Sequence, residues 1–232
     1  MSSLDDTCAT ADLDGKNAQA ISPKSPTPQS NKHRGNDMSD AKPIRRIAVI
    51  GTGVIGASWT ALFLAKGLQV VATDKAPNAE AALRKFVETA WPSLQRLGLT
   101  PAASQSNLKF TAALARAVAG VDLVQENGPE QIYFKQKLYG ELDDLLPPDV
   151  IIASSSSGLT MSEIQLDART HPERCVIAHP FNPPHLMPLV EIVGGAKTSE
   201  ATIRRAMEFY TSIGQRTVRL NKEMPSQAAA AS

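Results

Sequence analysis

The stretch Ile44 to Asp74, IRRIAVIGTGVIGASWTALFLAKGLQVVATD, constrains this chain more than any other. Ile47-Ala48-Val49-Ile50 is a short apolar run suited to a strand buried on both faces of a parallel sheet. Gly51, Gly53 and Gly56 follow at G-x-G-x-x-G spacing. Val54 to Lys66 is apolar, alanine-rich and of helical length, with Gly67 placed to cap its end. A second strand-like run, Val70-Val71-Ala72, leads to Asp74. Each glycine meets a separate demand of a dinucleotide. Gly51 allows the tight turn, Gly53 lets the backbone approach the pyrophosphate, and Gly56 lets helix and strand pack closely. The diphosphate would rest on the unpaired N–H groups of the helix start, around Val54 and Ile55, where the dipole favours negative charge.

A glycine turn alone is a weak signal, since such turns occur everywhere. Here the preceding strand, the helix, the second strand and the terminal acid are all in place. The acid also selects the cofactor. A carboxylate at Asp74 accepts hydrogen bonds from ribose hydroxyls and repels a 2′-phosphate, so NAD is favoured over NADP. Lys75 softens that preference without reversing it.

Total charge and composition narrow the remaining classes. Twenty-four Lys and Arg stand against 23 Asp and Glu among 232 residues, which leaves no field to draw nucleic acid or an anionic membrane. No apolar run approaches membrane-spanning length. Cys8 and Cys175 are too few for a disulfide framework or a cysteine metal site, and Cys175 reads as a small buried hydrophobe. No hydrophobic signal core opens the chain, and Asp5, Asp6, Asp12 and Asp14 argue against an acid-poor transit peptide, so a reducing, cytoplasmic setting is expected. Residues 1–42 are rich in Ser, Pro, Asn, Asp and Gln and read as a disordered tail.

Beyond Asp74, Pro77 is expected to open a helix to about Leu97, with Trp91 in packing and Pro92 at a kink. Leu108-Lys109-Phe110 reads as a short strand, and Thr111 as the cap of a short helix ending at Gly120. Val121 to Gln125 is a further strand, followed by Glu126-Asn127-Gly128-Pro129-Glu130 and a helix from Pro129 to Leu145. Val150 to Ala153 leads into Ser154-Ser155-Ser156-Ser157-Gly158, and Arg174 to Ala178 into His179-Pro180-Phe181-Asn182. Strands alternating with helices predict a Rossmann-type, doubly wound, mostly parallel α/β sheet over residues 43–221. Ligands gather at the carboxyl ends of such strands, which puts Asn127, Glu130 and the serine run on the rim with the glycine loop. Leu189 to Val193 is a strand with Glu191 inside an apolar run. A buried carboxylate needs a partner, and His179 on the rim supplies one; together they would make a general base. Thr198 or Ser199 would cap a last helix to about Ile213, before a closing strand Thr217 to Leu220.

Taken together, Gly51–Gly56, QENGPE, SSSSGL, HPFNPP and PLVE resemble the NAD-binding domain of the 3-hydroxyacyl-CoA dehydrogenase family. THPERCVIAHPFNPP and PLVEIVGG look most like the branch holding carnitine 3-dehydrogenase and lambda-crystallin. The resemblance implies an oxidoreductase acting on a small 3-hydroxy substrate of the acyl-CoA, carnitine or gulonate type, with hydride transfer to NAD. It implies His179 as the base, Glu191 as its orienting partner and Ser157 as the group that binds the substrate hydroxyl. It also implies cofactor contacts from Glu130 and Lys135, with Asn182 near the nicotinamide. Lys222-Glu223-Met224-Pro225 matches the family motif after the closing strand, whereas Ser226-Gln227-Ala228 does not. The motif's catalytic asparagine and the helical domain that closes the cleft and forms the dimer have no counterpart. Residues 222–232 are accordingly expected to be a truncated tail, and apolar surface on the last helix around Ile203, Met207 and Tyr210 is expected to be left bare. Cofactor binding without turnover is the alternative function.

Overall fold

The structure is a computed structural model and describes residues 42–223. The expected disordered tail, apart from Lys42, and residues 224–232 lie outside the described residues.

The chain alternates strands and helices: β1 (Arg46–Ile50), α1 (Val54–Ala65), β2 (Gln69–Thr73), α2 (Ala79–Leu97), β3 (Leu108–Phe110), α3 (Leu114–Val118), β4 (Leu123–Glu126), α4 (Ile132–Leu145), β5 (Ile151–Ser154), α5 (Met161–Ile164), β6 (Cys175–Pro180), β7 (Leu189–Gly194), α6 (Glu200–Ser212) and β8 (Arg216–Leu220). The strands form one sheet in the order β3-β2-β1-β4-β5-β6-β7-β8. Every pairing is parallel except β6 with β7. The expected doubly wound, mostly parallel sheet is therefore what forms. β2 leaves β1 on one side and β4 joins it on the other, so the strand order reverses at β1. A crevice opens there, at the carboxyl ends of the strands.

Strand β1 shows why its sequence is apolar at every position. Ile47 and Val49 join a core with α1, α2 and α6 on one face, while Ala48 and Ile50 join a second core with α4 on the other. A side-chain period of two sends neighbours to opposite faces, and both faces are covered. Burial pushes the Cys175 thiol up to about 12, in keeping with its role as a core residue. No helix among the described residues is long and apolar enough to cross a membrane.

Three helix starts differ from expectation by two or three residues. α2 begins at Ala79, after Asn78 adopts a left-handed backbone at φ 61°. α4 begins at Ile132, because Gln131 N donates back to the Pro129 carbonyl in a turn. α3 starts after Ala113, and Thr111 Oγ1 accepts from Ala113 N in a turn ahead of the helix. Ser199, not Thr198, caps α6, its hydroxyl accepting from Thr202 N. The bare face expected on α6 is absent. Ile203 and Tyr210 are buried in the first core and Met207 packs against it, because the sheet itself covers that face.

Candidate active site

The glycine loop is shaped by backbone crowding. Gly51 has φ +80°, and a β-carbon there would sit 2.6 Å from the Asn127 carbonyl oxygen. A β-carbon on Gly56 would sit 1.9 Å from the Gly51 carbonyl oxygen. One on Gly53 would meet nothing within 4 Å, so this glycine faces open space. The amides of Gly53, Val54, Ile55 and Gly56 make no hydrogen bond among the described residues, and the first turn of α1 carries no acid. Free amides beside an open backbone form a cradle for an anion such as a pyrophosphate.

These contacts separate two glycines that look alike in sequence. Gly56→Ala is expected to destabilise the domain by at least the ~1–3 kcal/mol typical of overpacking, since a carbonyl oxygen cannot step aside as a side chain can. Gly53→Ala is expected to leave the melting midpoint unchanged and to weaken NADH binding, because its methyl would enter the space above the cradle. Thermal melts with NADH titrations check both, and equal melting points for the two variants would contradict this account.

Asp74 ends the crevice on the far side of β2. Its Oδ2 accepts from Thr52 N at 2.6 Å and Thr52 Oγ1 at 2.8 Å, and its Oδ1 from Ala76 N at 2.9 Å. Burial on its own would raise its pKa, but the bonds from Ala76 and Thr52 outweigh it and hold the carboxyl below its ordinary value. A fixed, ionised carboxylate is what ribose hydroxyls require. Gly51, Gly53, Asp74, Asn127 and Lys137 line a cavity of about 590 Å³ at this point. A mononucleotide half fits that space and chemistry, with Lys137 a wall residue that sequence did not nominate.

The next strand ends carry a buried polar cluster. Glu126 accepts from Lys135 Nζ at 2.8 Å on both oxygens, from Gly128 N at 2.6 Å and from Ser154 Oγ at 2.6 Å. Glu130 closes the loop after β5: its Oε1 accepts from the amides of Ser157, Gly158 and Leu159 at 3.1, 2.7 and 3.2 Å, and from Ser156 Oγ. Burial would raise the Glu130 pKa, yet these bonds and Lys135 hold it low. Neither Glu130 nor Lys135 lines the glycine-loop cavity, and Lys135 is only 1% exposed. Both are tied to the serine loop. Glu126 was passed over in the sequence, although an acid ending an apolar strand, with a lysine nine residues on, is a readable signal.

His179 and Glu191 face one another as a directly opposed pair of the antiparallel β6–β7 ladder. Both line a second cavity of about 350 Å³, which Ser157 shares. The Ser157 hydroxyl has no partner among the described residues, so it is free to meet a ligand. Glu191 is half-buried, not enclosed, and no hydrogen bond joins it to His179 among the described residues. The imidazole Nδ1 lies instead 3.3 Å from the Ser155 carbonyl oxygen. Asn182 is exposed, precedes a cis bond to Pro183, and lines neither cavity. The structure thus gathers His179, Glu191 and Ser157 in one place and the glycines, Asp74 and Asn127 in another on the same rim. Asn127 connects the two: its Nδ2 bonds the Ile50 and Gln125 carbonyls, and its Oδ1 accepts from Ser155 Oγ at 2.8 Å.

Known proteins resemble this chain in sequence and fold. Residues 46–224 match the family described as 3-hydroxyacyl-CoA dehydrogenase, NAD binding domain. An L-carnitine dehydrogenase of Pseudomonas putida is 50% identical over 182 residues, which are 78% of this chain and 56% of that protein. One of Streptomyces coelicolor is 47% identical over 188 residues, 81% of this chain and 59% of that protein. The chain therefore spans a little over half the length of these curated relatives. Among solved structures, 5-formyl-3-hydroxy-2-methylpyridine 4-carboxylic acid 5-dehydrogenase, an NAD+ dependent dismutase, superposes with TM-score 0.74 at 37% identity, covering 81% of this chain and 61% of that one. FadB2 of M. tuberculosis superposes with TM-score 0.72 at 26% identity, over 82% of this chain and 68% of that one. With the family match spanning most of its length and its glycine loop, acid and strand order in agreement, the chain belongs to the 3-hydroxyacyl-CoA dehydrogenase family and carries that family's NAD-binding domain.

Proposed function

We propose that this chain is an NAD-dependent dehydrogenase of a small 3-hydroxy acid of the carnitine type, with His179 as its base. The carrying observation is the cavity of about 350 Å³ in which His179, Glu191 and Ser157 meet. When bound, NAD supplies the hydride acceptor. The chain's own groups do the rest. The cradle at Gly53–Gly56 holds the pyrophosphate and Asp74 the ribose. Ser157 donates to or accepts from the substrate hydroxyl, and His179 takes the hydroxyl proton as the alcohol is oxidised. Glu191, opposite on the ladder, favours the imidazolium that results. Glu130 and Lys135 act by holding the serine loop. The relatives called L-carnitine dehydrogenase support the substrate class, and the buried free thiol of Cys175 suits a reducing, cytoplasmic setting.

The test is to follow NADH formation with L-carnitine, a 3-hydroxyacyl-CoA and L-gulonate in turn. Turnover of carnitine above the other two is expected; a preference for the thioester would overturn the substrate class. Cofactor choice is read separately. Asp74→Ala is expected to weaken NADH binding by about 1–3 kcal/mol, the range for bonds to a charged group, and wild type is expected to bind NADH above NADPH. Equal wild-type affinities would remove the role given to Asp74.

A further inference from the structure

We infer that His185 is a positioning residue: it docks the loop between β6 and β7 onto α1, and so sets the base against the bound dinucleotide, on the reading of the site as that of a dehydrogenase. His185 lines neither cavity, so it acts through other groups.

The loop at 181–188 joins β6, which carries His179, to β7, which carries Glu191. Its ends are drawn together by Phe181 N, which donates to the Leu189 carbonyl at 3.0 Å. Its middle is fastened at two points. Gln215 Nε2 donates to the Pro184 carbonyl at 3.0 Å. His185 makes the other attachment, and it reaches the buried Ser58 of α1. The His185 amide donates to Ser58 Oγ at 3.1 Å, and its Nδ1 lies 2.6 Å from the same oxygen. A hydroxyl has one hydrogen to give, and among the described residues Nδ1 is the only acceptor bonded to Ser58 Oγ, so Ser58 donates to the ring. Burial lowers the His185 pKa and favours the neutral imidazole that can accept this bond. Phe86 of α2 meets the ring edge-on, with centroids 5.7 Å apart.

The place of this attachment on α1 gives it weight. Ser58 follows Gly56 by two residues, so His185 grips the helix whose start forms the pyrophosphate cradle. Cradle and base line different cavities, and the nicotinamide must still meet the substrate carbon in one alignment. A misplacement of about 1 Å can cost about a hundredfold in rate. A loop held only at its ends and by Gln215 would keep the β6–β7 ladder but lose its register against α1.

Two measurements on the full chain separate docking from mere packing. Amide hydrogen exchange reads the loop itself: protection at 181–188 is expected to fall in His185→Ala and in Ser58→Ala. Steady-state kinetics read the alignment. In both variants kcat is expected to fall about tenfold or more, with KM and the dissociation constant for NADH within about threefold of wild type. The double variant is expected to be no slower than Ser58→Ala, because both substitutions remove one shared attachment. His185→Asn, whose Oδ1 can stand in for Nδ1, is expected to recover most of the protection and of kcat. Where Ser58→Ala fails to fold, the two His185 variants carry the test. Unchanged protection in His185→Ala overturns the inference, as does a wild-type kcat in a chain whose loop has lost protection. A raised KM with kcat intact also overturns it, and makes His185 a substrate contact. Failure of the dehydrogenase reading appears differently, as a wild type that oxidises no substrate while its loop still responds to His185→Ala.

Discussion

Lys135→Met is expected to destabilise the domain by about 3–5 kcal/mol, the usual consequence of removing one partner from a buried ion pair. Lys135 is 1% exposed and Glu126 is wholly buried, with Nζ 2.8 Å from each carboxylate oxygen. Without the ammonium, Glu126 would keep bonds from Gly128 N and Ser154 Oγ, but its charge would stand unopposed in the core. Glu130 would also lose its cation, 3.7 Å away, and with it some hold on the serine loop. The double variant Lys135→Met with Glu126→Gln removes both charges yet keeps an acceptor for the loop, so it is expected to recover at least half of the loss. Urea unfolding of the three chains measures this. A Lys135→Met chain as stable as wild type, with only its NADH affinity reduced, would instead assign Lys135 to the cofactor.

That test bears on what a sequence can and cannot disclose. Gly51, Gly53, Gly56 and Asp74 were legible because their roles are local: a turn, a close approach and a strand end follow from residues near in the chain. His179 and Glu191 were legible for a related reason. They lie on neighbouring strands that set them opposite one another, although no hydrogen bond joins them among the described residues. The Lys135–Glu126 pair was readable in the same local way, since the lysine follows the acid that ends β4 by nine residues. Ser155 was hidden inside a run of four serines that differ only in what they touch. Ser154 serves Glu126, Ser155 Asn127, Ser156 Glu130, and Ser157 the cavity. The face of α6 was misjudged on similar grounds. Apolar periodicity shows that Ile203 and Tyr210 are covered, but not by what, and here the covering body is the sheet of the same domain. Helix starts failed at Pro77, Thr111 and Pro129 because a residue able to begin a helix is equally able to make the turn before one.

His179→Ala is expected to lower kcat/KM for the 3-hydroxy substrate about a hundred- to ten-thousand-fold, the range that general-base catalysis supplies. In barrier terms this is about 3–5 kcal/mol. The substitution removes the only imidazole among the described residues lining the cavity of about 350 Å³ that Ser157 shares. The glycine-loop cavity does not include His179, so the dissociation constant for NADH is expected to stay within about twofold of wild type. Separating the two quantities is what gives the experiment its force. Loss of turnover with intact cofactor binding assigns His179 to the proton, whereas parallel losses would point to a collapsed β6–β7 pair. Turnover at the wild-type rate would exclude His179 as the base and leave Glu191, half-buried on the facing strand, as the group to replace next. A wild-type chain that binds NADH tightly and oxidises none of the three substrates would overturn the dehydrogenase reading and leave cofactor binding without turnover.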